Sequence, residues 1–234
     1  IALCDADVVV AHAAYLALCA SEIVDEDALE RCVLEGLDAV RGGLDDAYPS
    51  GPAGACLWAL AVRAARGRDI SATYAELGRP RVPIAGVPED IRLAIIREYA
   101  PGHRTTDPRF LLEAACTALP PAPDEDEALA RARDALADVG LAPREPISAG
   151  HYHNQGGGTF HVIVTDGGHV RLSTLGPFAE VSAAPQHARR ALERAGFRCL
   201  DADVLDLRFT GLAVYFFGAR EPLSVRDLLF YWQD

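Results

Sequence analysis

The sequence predicts an α+β protein: a helical N-terminal region, then a C-terminal antiparallel sheet of about five strands (β-β-β-α-β-β-α) with helices packed on it. Apolar residues recur at helical spacing as far as Gly140, and after Pro146 the period changes to the alternation typical of strands. Half of the 234 residues are apolar, so the chain can bury a substantial core. We therefore expect a helical region over residues 1–120, a linker and connecting helix over 121–145, and an α+β domain over 146–234.

Helix start and stop signals divide the N-terminal region. Asp107 followed by Pro108 is typical of an N-cap with proline at the first helical position. The four carboxylates from Asp124 to Glu127 are interpreted as the first turn of a helix rather than a binding tail, because negative charge there complements the helix dipole. The predicted helices span about 5–19, 25–41, 53–66, 88–100, 107–118 and 124–139, and the proline-containing stretches 79–88 and 119–123 are connections.

In the C-terminal part, turn residues separate short segments of alternating polarity. The triplet Asp166-Gly167-Gly168 is a strong hairpin signal, because glycine accepts positive φ. Ser224 and Asp227 fit a capping box that opens a last helix. Strands are expected near 147–153, 159–165, 169–174, 198–208 and 212–217, with a helix over 185–196.

The charge balance argues against nucleic-acid and membrane partners. The chain has a formal net charge of −12, and all 22 of its basic residues are arginine. Its mean field therefore repels phosphate groups before local contacts form. The absence of lysine excludes Schiff-base catalysis and a Walker-type phosphate lysine. The composition, rich in arginine and alanine, is typical of a GC-rich bacterial genome.

The chain is expected to be cytoplasmic. The apolar run Val8–Ala20 is too short to span a bilayer, and Asp5 and Asp7 stand where a signal peptide would have positive charge. The six cysteines are widely spaced, include no C-x-x-C pair and are interpreted as reduced core residues. They are Cys4, Cys19, Cys32, Cys56, Cys116 and Cys199.

The stretch GHYHNQGGGTFH, residues 150–161, contains three of the seven histidines. If residues 154–158 form a hairpin loop, His151 lies opposite His161, and His153 projects to the same face because side chains alternate along a strand. Three imidazoles on one face can bind a divalent transition metal such as zinc, iron or manganese. His151, His153 and His161 are therefore the candidate metal ligands.

A hydrophobic core competes with this metal site. By the same alternation, Val170 and Leu172 of the next strand share the face of His161, which favours a buried histidine. At the rim of the three imidazoles, Asn154 and Gln155 are candidate ligand or partner contacts as hydrogen-bonding groups. The H-x-H spacing lacks the glutamate of a cupin motif, and the chain contains neither an H-E-x-x-H helix nor a G-x-S-x-G elbow.

Two further segments contain candidate contact residues. The stretch GHRTTDPRF combines basic and acidic groups that can hold an anionic ligand, although helix capping already accounts for its aspartate. Its candidates are His103, Arg104, Asp107 and Arg109. The C-terminal LLFYWQD concentrates aromatic residues, and Tyr231 and Trp232 are candidate contacts with a protein partner or a second copy of the chain.

These observations favour a cytoplasmic, non-catalytic interaction or regulatory protein, such as an acidic inhibitor or immunity-type protein. A protein partner or a homodimer is expected, and no cofactor. The alternative is a metal-dependent enzyme, hydrolytic in type, that uses His151, His153 and His161. A third hypothesis is small-molecule binding between the helical and sheet halves.

Overall fold

The computed structural model describes residues 2–44, 48–82, 86–100, 107–149, 158–182, 185–209 and 223–231. The α+β class is confirmed: helices dominate the N-terminal part, and a four-stranded sheet follows. The chain divides into two compact units. A helical unit contains residues 1–85, 96–119 and 209–223, and a sheet unit contains residues 86–95, 120–208 and 224–234.

The helices of the N-terminal part begin close to the predicted positions, and the short helix Ser71–Glu76 is an addition. Asp7, Asp25 and Asp107 each cap the next helix by accepting a backbone N–H. After a 3-10 turn at Ala2–Cys4, the helices are Val8–Ala20 (α1), Glu26–Arg41 (α2), Gly51–Ala65 (α3), Ser71–Glu76 (α4), Glu89–Tyr99 (α5) and Pro108–Cys116 (α6).

Helix α3 is the centre of the helical unit. Residues 56–62 of this helix are at most 2% exposed, so it is enclosed on every side, as its continuous apolar sequence favours. It packs against α1, α2 and α6. The indole Nε1 of Trp58 donates to the Tyr48 hydroxyl at 2.9 Å, which satisfies the polar atom of that ring.

Helices α2 and α3 approach each other closely at Gly36. A Cβ atom at this position would overlap the Cβ of Cys56 and the carbonyl oxygen of Pro52. Glycine in a helix interior costs about 1 kcal/mol relative to alanine. The close approach of the two helices accounts for its presence here.

The sheet unit contains the strands Phe160–Thr165 (β1), Gly168–Ser173 (β2), Phe178–Ser182 (β3) and Arg198–Cys199 (β4), in the order β1-β2-β3-β4. The first three strands are antiparallel, and β4 is parallel to β3. The predicted hairpin is confirmed: Thr165 pairs with Gly168, so only two residues connect β1 and β2. The remaining elements of the chain are Glu125–Ala137 (α7), Gln186–Arg194 (α8), Ala202–Leu205 (α9), Arg208–Phe209 (β5), Leu223–Ser224 (β6) and Val225–Leu229 (α10).

Helices α7 and α8 cover the inner face of the sheet, and the hydrophobic core of this unit lies between the helices and the sheet. The core residues include Ala132, Leu136, Ala188, Leu192, Ile163, Val170 and Leu172. The short helix α10 packs on the opposite, outer face, where Phe230 meets Phe160 edge to face with ring centroids 6.0 Å apart. The helices of this unit therefore pack on both faces of the sheet, and the capping box that the sequence predicts at Ser224 and Asp227 is confirmed at the start of α10.

Other details of the sheet also differ from the sequence prediction. Strand β3 was not predicted, and β4 is parallel because helix α8 lies between it and β3, which is the connection that parallel strands need. The predicted strand 198–208 is interrupted by α9. The predicted strand 212–217 lies outside the described residues.

None of the six cysteines, all of them in the described part of the chain, forms a disulfide. Cys56 and Cys199 are buried as expected, whereas Cys4 is exposed. No helix among the described residues combines the length and the apolar character that crossing a membrane requires.

We predict that Gly36→Ala lowers the free energy of unfolding by roughly 1–3 kcal/mol, because the added methyl group forces α2 and α3 apart. Helix propensity alone would instead raise the free energy of unfolding by about 1 kcal/mol. Urea unfolding followed by circular dichroism measures the change. Ala39→Gly, at an exposed position of α2, is the control and loses about 1 kcal/mol from propensity alone. A stabilised Gly36→Ala variant would contradict the close approach.

Candidate functional site

Four of the residues predicted from sequence as metal ligands, ligand contacts or partner contacts are described: Asp107, Arg109, His161 and Tyr231. The others lie outside the described residues, and their roles stay predictions. They are His103, Arg104, His151, His153, Asn154, Gln155 and Trp232.

His161 lies on the inner face of the sheet, at the border of its core. It pairs with Leu172, and Ile163 pairs with Val170, so the predicted sharing of one face by these residues is confirmed. The imidazole is almost fully buried. The apolar side chains around His161 therefore belong to the packed core of the sheet unit.

The hydrogen bonds of His161 define its protonation state. Its Nδ1 accepts the backbone N–H of Ala149 at 3.1 Å, so the proton of the neutral ring is on Nε2. Nε2 lies 3.6 Å from a carboxylate oxygen of Glu125, too far for a hydrogen bond, and has no partner among the described residues. Burial lowers the pKa of His161, while the negative charges of Glu125 and Asp126 oppose this shift.

The pairing next to β1 differs from the register assumed for the metal site. That register places Ile147 opposite Thr165, whereas the structure pairs Ile147 with Val162. The difference of three residues is odd, and an odd slip exchanges the two faces of a strand. The parity argument therefore does not hold at the described pair.

In the described part of the chain, no group of three histidine, cysteine, aspartate or glutamate residues is arranged to hold a metal ion. Two members of the predicted triad, His151 and His153, lie outside that part. The metal site with zinc, iron or manganese thus stays a prediction.

The outer face of the sheet is partly covered by α10. The hydroxyl groups of Thr159 and Ser173 both donate to the Leu229 carbonyl, at 3.1 and 3.0 Å. The backbone N–H of Tyr231 donates to the Thr159 hydroxyl at 2.8 Å, and the backbone N–H of Thr159 donates to the Tyr231 carbonyl at 2.8 Å. These bonds join the end of α10 to the start of β1.

Ion pairs also connect α10 to this face. Glu180 is nearly buried and accepts from Arg171 at 2.9 Å, and it forms a second, short ion pair with Arg226 of α10. Arg226 also reaches Asp206 at 3.1 Å. Because Glu180 has two cationic partners, its charge is compensated although it is buried.

Beyond α10, the outer face forms a groove of about 760 Å³, which we call the sheet groove. Its main lining residues are Ile147, Phe160, Val162, Val164, His169 and Arg171. Ile147 is 40% exposed, an unusual position for a large apolar side chain next to other apolar residues. No described lining residue is acidic, although the chain contains 34 acidic residues.

The described part of the second polar cluster is a buried ion pair. Arg109 donates through Nε and Nη2 to the two carboxylate oxygens of Asp107, at 3.1 and 2.8 Å. Asp107 also accepts the backbone N–H of Arg109, which confirms its predicted role as a helix cap. Both side chains are at most 1% exposed, and this bidentate pairing compensates the two charges.

The state of His161 generates a prediction on pH. A histidine whose pKa is lower in the folded than in the unfolded chain stabilises the fold above the unfolded pKa of about 6.5 and loses that contribution as the pH falls. Protonation would also place a proton on Nδ1, against the N–H of Ala149. We therefore predict that the free energy of unfolding falls more between pH 7.5 and 5.5 in the parent than in His161→Gln. Urea unfolding at both pH values measures this.

The control for this experiment is His187→Gln. His187 is exposed on α8, so its side chain is in contact with water in the folded chain as well as in the unfolded chain. This variant should keep the pH dependence of the parent. An equal pH dependence of the parent and His161→Gln would contradict the assignment.

Neither the protein-family models, nor the curated proteins, nor the solved structures include a match to this chain.

Proposed function

We propose that this chain is a non-catalytic interaction protein that binds an amphipathic helix of a partner protein in the sheet groove. The observation that supports this proposal is the apolar part of the outer face that no described residue covers, beside the part that α10 occupies. Contiguous exposed apolar surface with a polar border is typical of protein-binding sites. Inhibitor, immunity-type and other regulatory roles are all compatible with this mode of binding.

The dimensions of the outer face favour a helix as the occupant. Strand β1 has six residues and is therefore about 20 Å long. A helix with its side chains is about 10 Å wide. Helix α10 lies over the end of the strand that begins at Phe160, where Phe160 and Ser173 are buried. No described helix covers the end near Val164, and the length of strand left there is about the width of one more helix.

The packing of α10 shows the kind of side chain that this face accepts. Phe230, which follows α10 directly, contacts the ring of Phe160, and Arg226 of α10 pairs with Glu180. In the open part of this face, the apolar side chains of Val162, Val164 and Ile147 line the groove, and no described helix packs on them. A partner helix with leucine or phenylalanine at positions i, i+3, i+4 and i+7 would bury these three side chains.

The polar border of the groove favours acidic residues on the partner. Arg171 and His169 line the groove, and Arg171 lies over the ring of Phe160 at 5.6 Å from its centroid. The chain as a whole has a net charge of −12 and repels acidic partners at long range. Because no described residue that lines the groove is acidic, the lining itself does not repel an acidic, amphipathic helix.

We predict that a synthetic helical peptide of about four turns, with leucines on one side and glutamates beside them, binds the protein saturably. Ile147→Asp should weaken this binding by about tenfold or more, because it places a charge where the peptide buries apolar surface. Fluorescence anisotropy of the labelled peptide measures both dissociation constants.

The matched control is Leu34→Asp, which places the same charge at an exposed leucine of α2 in the helical unit. It should leave the dissociation constant unchanged. Absence of saturable binding, or equal weakening by both variants, would contradict the proposal. Self-association that Ile147→Asp abolishes, without peptide binding, would assign the groove to a second copy of the chain and would also contradict it.

A further inference from the structure

A second cavity, within the helical unit, is lined by four arginines. This cavity, the arginine pocket, has a volume of about 370 Å³, within the range of small-molecule sites. Arg41 comes from the last turn of α2, Arg79 and Arg81 follow α4, and Arg109 belongs to the first turn of α6. The sequence shows no basic cluster at this site, because the four residues come from three separate segments.

Three of the four guanidinium groups are held by carboxylates. Arg109 is fixed bidentately by Asp107. Arg81 Nε pairs with the buried Glu113 at 2.9 Å. Arg41 forms a short ion pair with Glu76 and lies 3.8 Å from the exposed Asp38. These pairs orient the three groups and explain their presence without a ligand.

The presence of Arg79 in the pocket is not explained by an ion pair of this kind. No ion pair or hydrogen bond joins its side chain to any described residue, and it is exposed at the border of the pocket. Its backbone has a φ of +54°, the only positive φ among the described non-glycine residues. A long side chain in this conformation costs of order 1 kcal/mol or more, and the following Pro80 disfavours it further.

The fold would accept glycine at position 79 without that cost. The preceding Gly78 already has a φ of +78°, and the backbone N–H of Arg79 donates to the Tyr74 carbonyl at 3.0 Å, a bond that any residue except proline makes. Tyr74 also donates from its hydroxyl to the Pro80 carbonyl at 3.1 Å, which fixes the turn independently of the arginine side chain. The turn therefore presents an unpaired cation that the stability of the fold does not require.

The other walls of the pocket are apolar. They are formed by Val40, Leu44, Leu77 and Pro80. A volume of 370 Å³ exceeds the volume of a free phosphate ion several-fold, so the apolar walls would contact an organic group attached to the anion.

We propose that the arginine pocket binds a small phosphate monoester. The phosphate dianion has three terminal oxygens and up to two negative charges, so it can accept hydrogen bonds from more guanidinium groups, and pair more strongly with them, than a carboxylate with two oxygens and one charge. Arg79 contributes a charge that no described carboxylate compensates, and the guanidinium groups of Arg41, Arg81 and Arg109, each already paired with a carboxylate, line the other walls. The organic part of the ester packs on the apolar walls.

Phenyl phosphate is the probe that tests this proposal, with benzoate as a singly charged analogue of similar size. Isothermal titration calorimetry should show saturable binding of phenyl phosphate and at least about tenfold weaker binding of benzoate. Arg79→Gln should weaken phenyl phosphate binding by about tenfold or more, because it removes a charge-assisted hydrogen bond. Arg79→Lys should cause a smaller loss, because it keeps the charge but not the planar fork.

The control is Arg31→Gln, which removes the same charge from an exposed arginine of α2 that does not line the pocket. This variant should bind phenyl phosphate like the parent, and the urea unfolding of all three variants should remain cooperative. Absence of saturable binding, equal affinity for benzoate, or an equal loss in Arg31→Gln and Arg79→Gln would overturn the proposal.

Discussion

The hydrogen bonds between Thr159, Ser173 and the end of α10 determine what the outer face of the sheet can do. The two hydroxyl groups share the carbonyl of Leu229, which is 70 residues from Thr159 and 56 from Ser173 in sequence, and the backbone of Tyr231 pairs with Thr159. Because these bonds fix α10 at one end of β1, the apolar side chains at the other end stay uncovered by any described residue. The proposed interaction site follows from this partial coverage.

The two faces of the sheet therefore have different roles. The inner face is closed by α7 and α8, and His161 is buried there with a hydrogen bond from Ala149. The outer face is mixed, with a charged network around Glu180 below α10 and an apolar groove beside it. A buried, compensated carboxylate fixes the position of Arg171, which in turn forms the border of the groove.

Local patterns in the sequence predicted much of this fold. The α+β class, the hairpin at Asp166-Gly167, the capping box of α10 and the core face of His161 all depend on residues close in sequence or on strand alternation. The register beside β1 could not be predicted, because it depends on a loop length that the sequence does not specify. The arginine pocket and the position of α10 depend on contacts between distant segments, which no local pattern contains.

The central claim is that a partner helix lies on the open part of the outer face. Intermolecular nuclear Overhauser effects between an isotope-labelled chain and the unlabelled leucine-glutamate peptide test this most directly. Contacts from the peptide methyl groups to Val162 and Val164 are the predicted result. Contacts confined to exposed apolar residues elsewhere, such as Val9 and Val10 of α1, would contradict the account.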